Sequence, residues 1–184
     1  MMHPGFKPSL IILLVVFMGS CATGRYVPVD NVAKLDVAFT DAGWTGGAVP
    51  NAGVCARYGG ESMSPPLAVR NIPSGTTDII IEFNDLSYPP LSSGGGHGAI
   101  RVPAAGKTEV MIPAVPGETF DLPQGVFMEA AHRGTVGGAG AYLGPCSGGR
   151  GNIYEADVKA VSKSTTSSQP SRLLGKGSIT LGRY

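Results

Sequence analysis

"NIPSGTTDIIIEFNDL", residues 71–86, is the stretch on which the fold turns. Three successive isoleucines and a closing phenylalanine stand between two sets of turn formers, Pro73-Ser74-Gly75 before them and Asn84-Asp85 after. β-Branched side chains are stiff at χ1 and pack well on a pleated surface. A short, nearly continuous apolar run with such flanks predicts a central strand over residues 76–83, buried on both faces.

Other segments fit around that strand. In "KLDVAFT" (34–40) Leu35, Val37 and Phe39 share one face, the alternation of a half-buried strand. "HGAIRV" (97–102) and "TEVMIP" (108–113) are two further strands, and the glycine of the intervening "PAAGK" suits a hairpin between them. "NIYEADVKAV" (152–161) places Tyr154, Ala156, Val158 and Ala160 on one side, and "GSITLGRY" (177–184) closes the chain as a last strand. The region from 41 to 64 is rich in Gly, Pro and Ser, with the single tryptophan, Trp44, as a core plug or loop anchor. Residues 162–171 form a polar, low-complexity loop. One short helical turn is expected near 171–174. No window shows a sustained 3.6-residue apolar period beyond the N-terminal segment, and there is no internal repeat. With 28 glycines and 15 prolines in 184 residues, the chain reads as one all-β domain, a sandwich of about seven short strands.

Composition limits what such a domain can do. Charged residues are 15% of the chain and the formal net charge is +1, which offers no basic surface for nucleic acid. At the N-terminus, "MMHPGFKPSLIILLVVFMGSC" combines a weakly basic start (His3, Lys7) with an apolar run over 10–18, the length of a signal-peptide core and too short for a permanent span. Gly19-Ser20 before Cys21 resembles the lipobox of bacterial lipoproteins, with Met18 three positions before the cysteine. The expectation is a signal peptide over 1–20, an acylated Cys21, a tether over 21–33 and a folded domain over 34–184; the alternative is an ordinary secretory signal with an incidental cysteine. The product would be an exported lipoprotein attached to the membrane through its lipid, on the periplasmic face of the outer membrane if the source has two membranes. Removal of 1–20 takes Lys7 and no acid, leaving 13 basic against 13 acidic residues. Cys55 and Cys146 then remain as an even pair in an oxidising compartment, able to form a disulfide or to stay as buried thiols.

Several blocks, taken in order, resemble the phosphatidylethanolamine-binding protein family, especially its bacterial branch. "CARYGGESMSPPLAVRNIPSGTTDIIIEF" is similar to the family's Cys, Gly-Glu and Ser-Pro-Pro-Leu block with its following turn and core strand. "NDLSYPPLSSGGGHGAIRV" resembles its Asp-Pro-Asp-x-Pro turn, glycine loop and strand-opening histidine. "YLGPCSGGRGNIY" resembles its Gly-Pro-Cys-Pro-Pro loop leading to His-Arg-Tyr, and "LGRY" its closing Gly-x-Tyr. The resemblance covers roughly residues 34–184. It implies a Greek-key sandwich of two sheets with a small cavity at one end that accepts phosphate, other small anions or the phosphatidylethanolamine head group.

Carried over by that resemblance, Asp85 is the first acid of the turn, His97 the pocket histidine, Cys146 the loop cysteine and Tyr154 the tyrosine of His-Arg-Tyr. One wall is expected from Asp85 and His97, the other from Tyr154 and the loop from Gly144 to Asn152. The chain departs from the family pattern at Leu86 and Ser87, where a proline and a second acid would stand, and at Asn152 and Ile153, where His-Arg would stand. Asparagine hydrogen-bonds but does not titrate near neutral pH. Arg150 is a candidate to supply the missing cation.

By residue chemistry, Asp85 and His97 are expected to hydrogen-bond to each other, which would fix the imidazole tautomer and favour its charged form beside the N–H groups of two glycine loops. Alternatively they satisfy each other as a buried corner with no ligand. His132-Arg133, which imitates the absent His-Arg but precedes the Gly-Pro-Cys loop, reads as an exposed polar turn unless the fold brings it to the cavity mouth. "GGESMS" is not a nucleophile elbow, and neither "GGAGAYLG" nor "SGGRGN" opens a helix as a nucleotide loop does. The histidines and cysteines lack metal-ligand spacing. The sequence thus predicts a binding protein without catalytic machinery or cofactor, its ligand a small anion or phospholipid head group. The other reading is an interaction or inhibitor-type scaffold, its protein partner unspecified and its pocket without a ligand.

Overall fold

A computed structural model describes residues 26–166 and 168–184. The expected signal peptide and the expected acylation site, Cys21, lie outside the described residues. Among the described residues nine strands form two sheets: β1 Val27–Lys34, β2 Asp36–Phe39, β3 Leu67–Arg70, β4 Asp78–Asp85, β5 Ala99–Pro103, β6 Glu109–Ile112, β7 Phe127–Ala130, β8 Ile153–Ser162 and β9 Arg172–Arg183. The larger sheet has the order β1-β9-β8-β4-β5-β7 and the smaller β2-β3-β6. This is the expected all-β, two-sheet architecture. Among the described residues no helix is long and apolar enough to cross a membrane.

The core lies between the sheets. Strand β4 supplies Ile79, Ile81 and Phe83 to it, β5 Ile100 and Val102, β8 Ala156, Val158 and Ala160, and the small sheet Leu67, Val69, Val110 and Ile112. All eight residues of β4 are buried, as its sequence requires of a central strand. Alternation still sorts them, because successive side chains of a strand point to opposite faces. The outer face carries Asp78, Ile80, Glu82 and Asn84. Ile80 packs with Tyr26 and Val161, while Arg101 pairs with Asp78 at 2.8 Å and Lys159 with Glu82 at 2.6 Å. Ion pairs and a tyrosine, not a second apolar layer, cover that side. Asp85 falls on the core face by the same parity, and this aims it into the end of the sandwich.

Three expectations are corrected. The span assigned to the tether contains β1, which runs parallel to β9, pairing Val27 with Arg172 and Lys34 with Lys176. Backbone pairing to β9 orders it despite its lack of apolar period. Leu35 is the single residue between β1 and β2, and it marks the crossing from one sheet to the other. The "PAAGK" turn joins no hairpin, because β5 and β6 belong to different sheets. The expected turn near 171–174 is the start of β9; the short 3-10 turns lie instead at Asn51–Gly53, Ala56–Tyr58 and Pro89–Leu91. Strands β3 and β7 had no sequence signal: β3 is four residues long without alternation, and β7 is an edge whose Phe127 and Met128 are exposed.

Candidate functional site

The register of β4 on β8 builds the site. Asp85, the last residue of β4, is the Cα partner of Tyr154 near the start of β8. Both side chains are on the core face where the core ends. The loop between β4 and β5 returns His97 to the same place: its N–H donates to the Phe83 carbonyl at 2.8 Å, and its own carbonyl accepts from Leu143 N–H at 2.9 Å. This return needs glycines. A Cβ on Gly96 would sit 2.1 Å from the Leu91 carbonyl oxygen, and one on Gly98, whose φ is +102°, 2.1 Å from that of Ala141.

These residues surround a cavity of about 410 Å³ that also reaches Cys146, Arg150 and Asn152. Of the residues expected at the site, six therefore line one opening. Gly144 does not. It packs behind the wall, where its N–H donates to Ser62 Oγ at 2.8 Å and a Cβ would meet the Gly53 carbonyl oxygen at 2.4 Å.

Asp85 and His97 are not paired, which corrects the expected contact. Asp85 Oδ2 accepts from Asn152 Nδ2 at 2.7 Å and Oδ1 from Ser87 N–H at 3.0 Å. The neighbouring Tyr154 hydroxyl accepts from the Cys146 N–H at 3.1 Å; burial, with the Asp85 charge adding to it, pushes that phenol up to about 12. Ser87 uses its hydroxyl to accept Ile153 N–H at 2.9 Å. Two of the four departing positions, Ser87 and Asn152, thus serve one carboxylate and one turn.

His97 takes its tautomer from elsewhere. Its Nδ1 lies 2.9 Å from the Leu143 carbonyl, which can only accept, so Nδ1 carries the proton. Burial holds the imidazole below its usual pKa; the Leu143 carbonyl and the Asp85 charge oppose this without overcoming it. The ring is therefore neutral near pH 7, contrary to the charged form expected from the sequence. The first glycine loop is no anion nest either, since Gly95 and Gly96 give their N–H groups to Asn84 Oδ1 at 3.0 and 3.2 Å.

Positive charge comes instead from three arginines on the lining, Arg57, Arg133 and Arg150. Arg133 was expected in an exposed turn. Its guanidinium clamps the glycine loop, donating to the carbonyls of Gly94 at 3.1 Å and Ser93 at 2.8 Å. Among the described residues, Arg57 and Arg150 have no hydrogen-bond or ion-pair partner; Arg57 lies 6.0 Å from the Tyr58 ring centre. Arg57, Tyr58 and Tyr88 were not identified from sequence, and Arg133 takes the cavity-mouth alternative. The signal for the first two was the cysteine pair: Cys55 is bonded to Cys146 and precedes the 3-10 turn Ala56–Tyr58, so the disulfide sets Arg57 beside the Arg150 loop. Serine 147 secures that loop by donating to the carbonyl of the C-terminal Tyr184, whose N–H donates to the Asn152 carbonyl at 3.1 Å. Among the described residues no group of three or more His, Cys, Asp or Glu could hold a metal ion.

No family profile and no characterised protein matches the chain by sequence. Solved structures do match its fold. YbcL of E. coli, described as a member of the mammalian PEBP family, aligns with a TM-score of 0.55 at 19% identity, covering 83% of this chain and 98% of that one. A putative phosphatidylethanolamine-binding protein homologue, CT736 of Chlamydia trachomatis, aligns at 0.51 with 16% identity, covering 82% and 97%. The fold is that of the phosphatidylethanolamine-binding proteins.

Proposed function

We propose that this chain, built on the phosphatidylethanolamine-binding-protein fold, is a cell-envelope protein that binds a small anionic, head-group-like ligand at the end of its sandwich. The observation that carries this reading is the charge balance of the cavity. The carboxylate on its lining, Asp85, is engaged by Asn152 and Ser87, whereas Arg57 and Arg150 face the same opening without partners among the described residues. Arginine forks match the oxygens of phosphates and carboxylates. Attachment to the membrane through an acylated Cys21 belongs to this proposal and rests on the sequence alone.

The test follows the His97 imidazole by NMR while phosphate and phosphorylethanolamine are titrated. Saturable shifts are expected, with affinity falling about tenfold or more in Arg57→Ala and Arg150→Ala, the loss that one hydrogen bond between charged groups implies. Wild-type protein that gives no saturable shift would refute anion binding and leave the scaffold reading, in which the rim aromatics Tyr58 and Tyr88 serve a protein partner. Mass spectrometry of the mature N-terminus tests the anchor: an unmodified end starting elsewhere than Cys21 overturns it.

A further inference from the structure

The chain enters the sandwich at one end and the cavity opens at the other. Strand β8 spans ten residues. At its start, beside the cavity, Ile153 pairs with Arg183 and Tyr154 with Asp85. At its end Ser162 pairs with Arg172, which in turn pairs with Val27, the first residue of β1. With a rise of about 3.3 Å per residue, the point of entry and the cavity are about 30 Å apart. Entry is fixed at Tyr26. Its ring packs with Ile80 and Val161 on the outer face of the large sheet, and its hydroxyl donates to Glu129 Oε1 at 2.9 Å. Only residues 22–25 therefore lie between Cys21 and the folded body, where the sequence alone suggested a tether running to residue 33. Even fully extended, the chain from Cys21 to Tyr26 reaches at most about 18 Å.

We propose that the end of the sandwich opposite the cavity is the face turned to the membrane in the anchored protein, and that the cavity mouth opens away from that bilayer. The inference rests on the anchor at Cys21 put forward above and goes beyond it by assigning the surface. With the mouth turned to the bilayer, Tyr26 would stand about 30 Å above it, out of reach of a tether of about 18 Å. Hydrogen bonds gather the membrane face around Thr77: its N–H donates to the Val161 carbonyl at 2.9 Å, its carbonyl accepts from Ala104 N–H at 2.8 Å, and its Oγ1 accepts from Lys163 N–H at 2.9 Å. Lys107 and Arg172 are exposed at this end, with no ion-pair partner among the described residues. Asp78, Glu109 and Glu129, three acids that neighbour it, are ion-paired with Arg101, Arg70 and Lys163. Unpaired cations within a Debye length suit an anionic lipid surface. The mouth carries arginines too, so the length of chain decides the orientation and the charge accommodates it. A ligand then reaches the mouth from the aqueous side, and head groups seated in the anchoring leaflet are out of its reach.

The experiment uses the full chain, acylated on Cys21 and reconstituted into vesicles of phosphatidylethanolamine and phosphatidylglycerol. A fluorophore is placed on Ser74→Cys, at the proposed membrane face, or on Thr135→Cys, at the mouth; both positions are exposed. With Cys21 acylated and Cys55 bonded to Cys146, the introduced thiol alone is free to react. Energy transfer to an acceptor lipid in the outer leaflet is expected to place the Thr135 label farther from the bilayer than the Ser74 label, by a distance on the order of 30 Å. Inserting about twenty Gly/Ser residues between Arg25 and Tyr26 adds a flexible span of about 25 Å, and the difference is expected to shrink. A Thr135 label as close to the bilayer as the Ser74 label, in the chain of native length, overturns the inference and leaves the anchor standing. Protein whose Cys21 carries no lipid by mass spectrometry refutes the anchor, and the inference with it.

Discussion

At the scale of single residues, the decisive position is Asn152. Judged by residue type, an asparagine in place of a histidine reads as the loss of a binding group. Its amide donates to Asp85 Oδ2 at 2.7 Å and so completes the satisfaction of a carboxylate that is 4% exposed. Removing it would leave part of a buried charge unmet, and hydrogen bonds to charged groups contribute about 1.5–3 kcal/mol. Asn152→Ala is expected to lower unfolding stability by that amount in denaturant titrations; a loss under about 0.5 kcal/mol would show that Asp85 does not depend on it. Glu118 carries a second residue-scale prediction. Burial raises its pKa, but the N–H groups of Gly138 and Ala56, the Ser62 hydroxyl and His132 outweigh that and hold the carboxyl below its usual value. A lowered folded pKa means that its contribution is complete above the unfolded value and is lost as pH falls through the folded one. Glu118→Gln is therefore expected to destabilise at pH 7 and to cost progressively less in acid, as measured by thermal melts across pH; a cost independent of pH would refute the assignment.

At the scale of elements, the cavity is made where two loops are pinned. The disulfide joins the loop after Tyr142 to the 3-10 turn that bears Arg57, closing a separation of 91 residues. On a chain-entropy basis such a closure stabilises the fold by roughly 4–5 kcal/mol. Reduction is expected to lower stability toward that figure and also to weaken phosphate binding, because Arg57 loses its fixed position relative to Arg150. Unchanged affinity in reduced, still folded protein would separate the disulfide from the site. The glycine loop is pinned differently, by Arg133 on two carbonyls and by Asn84 on two N–H groups. Gly98 makes its final step possible, and Gly98→Ala combines a +102° φ with a clash against backbone. It is expected to cost at least about 3 kcal/mol, read from the midpoint of unfolding.

At the scale of the whole molecule, the two sheets share one core, and the site is the place where that core stops. Period and composition made much of this legible: the isoleucines of β4, the alternation of β8 and the density of turn residues point to a two-sheet sandwich before any coordinates are known. The order of the sequence blocks brought Asp85, His97, Cys146, Asn152 and Tyr154 together as candidates, and they do line one cavity. Other features were illegible because they depend on partners distant in the chain. Strand β1 has no apolar period of its own and exists by pairing with β9; β5 and β6 read as a hairpin because local turn chemistry does not say which sheet the next strand joins. The charge of the site was misjudged for the same reason. A histidine near an aspartate suggests an ion pair, but Leu143, 46 residues away, supplies the acceptor that sets the tautomer, and enclosure removes the charge. What the sequence determined by itself was the all-β class, the central strand β4 and the chemical types available at the site, since these follow from local period and residue identity. Only the tertiary structure decided which groups are spent on one another and which face the opening, because hydrogen-bond partnership and desolvation are properties of neighbours in space.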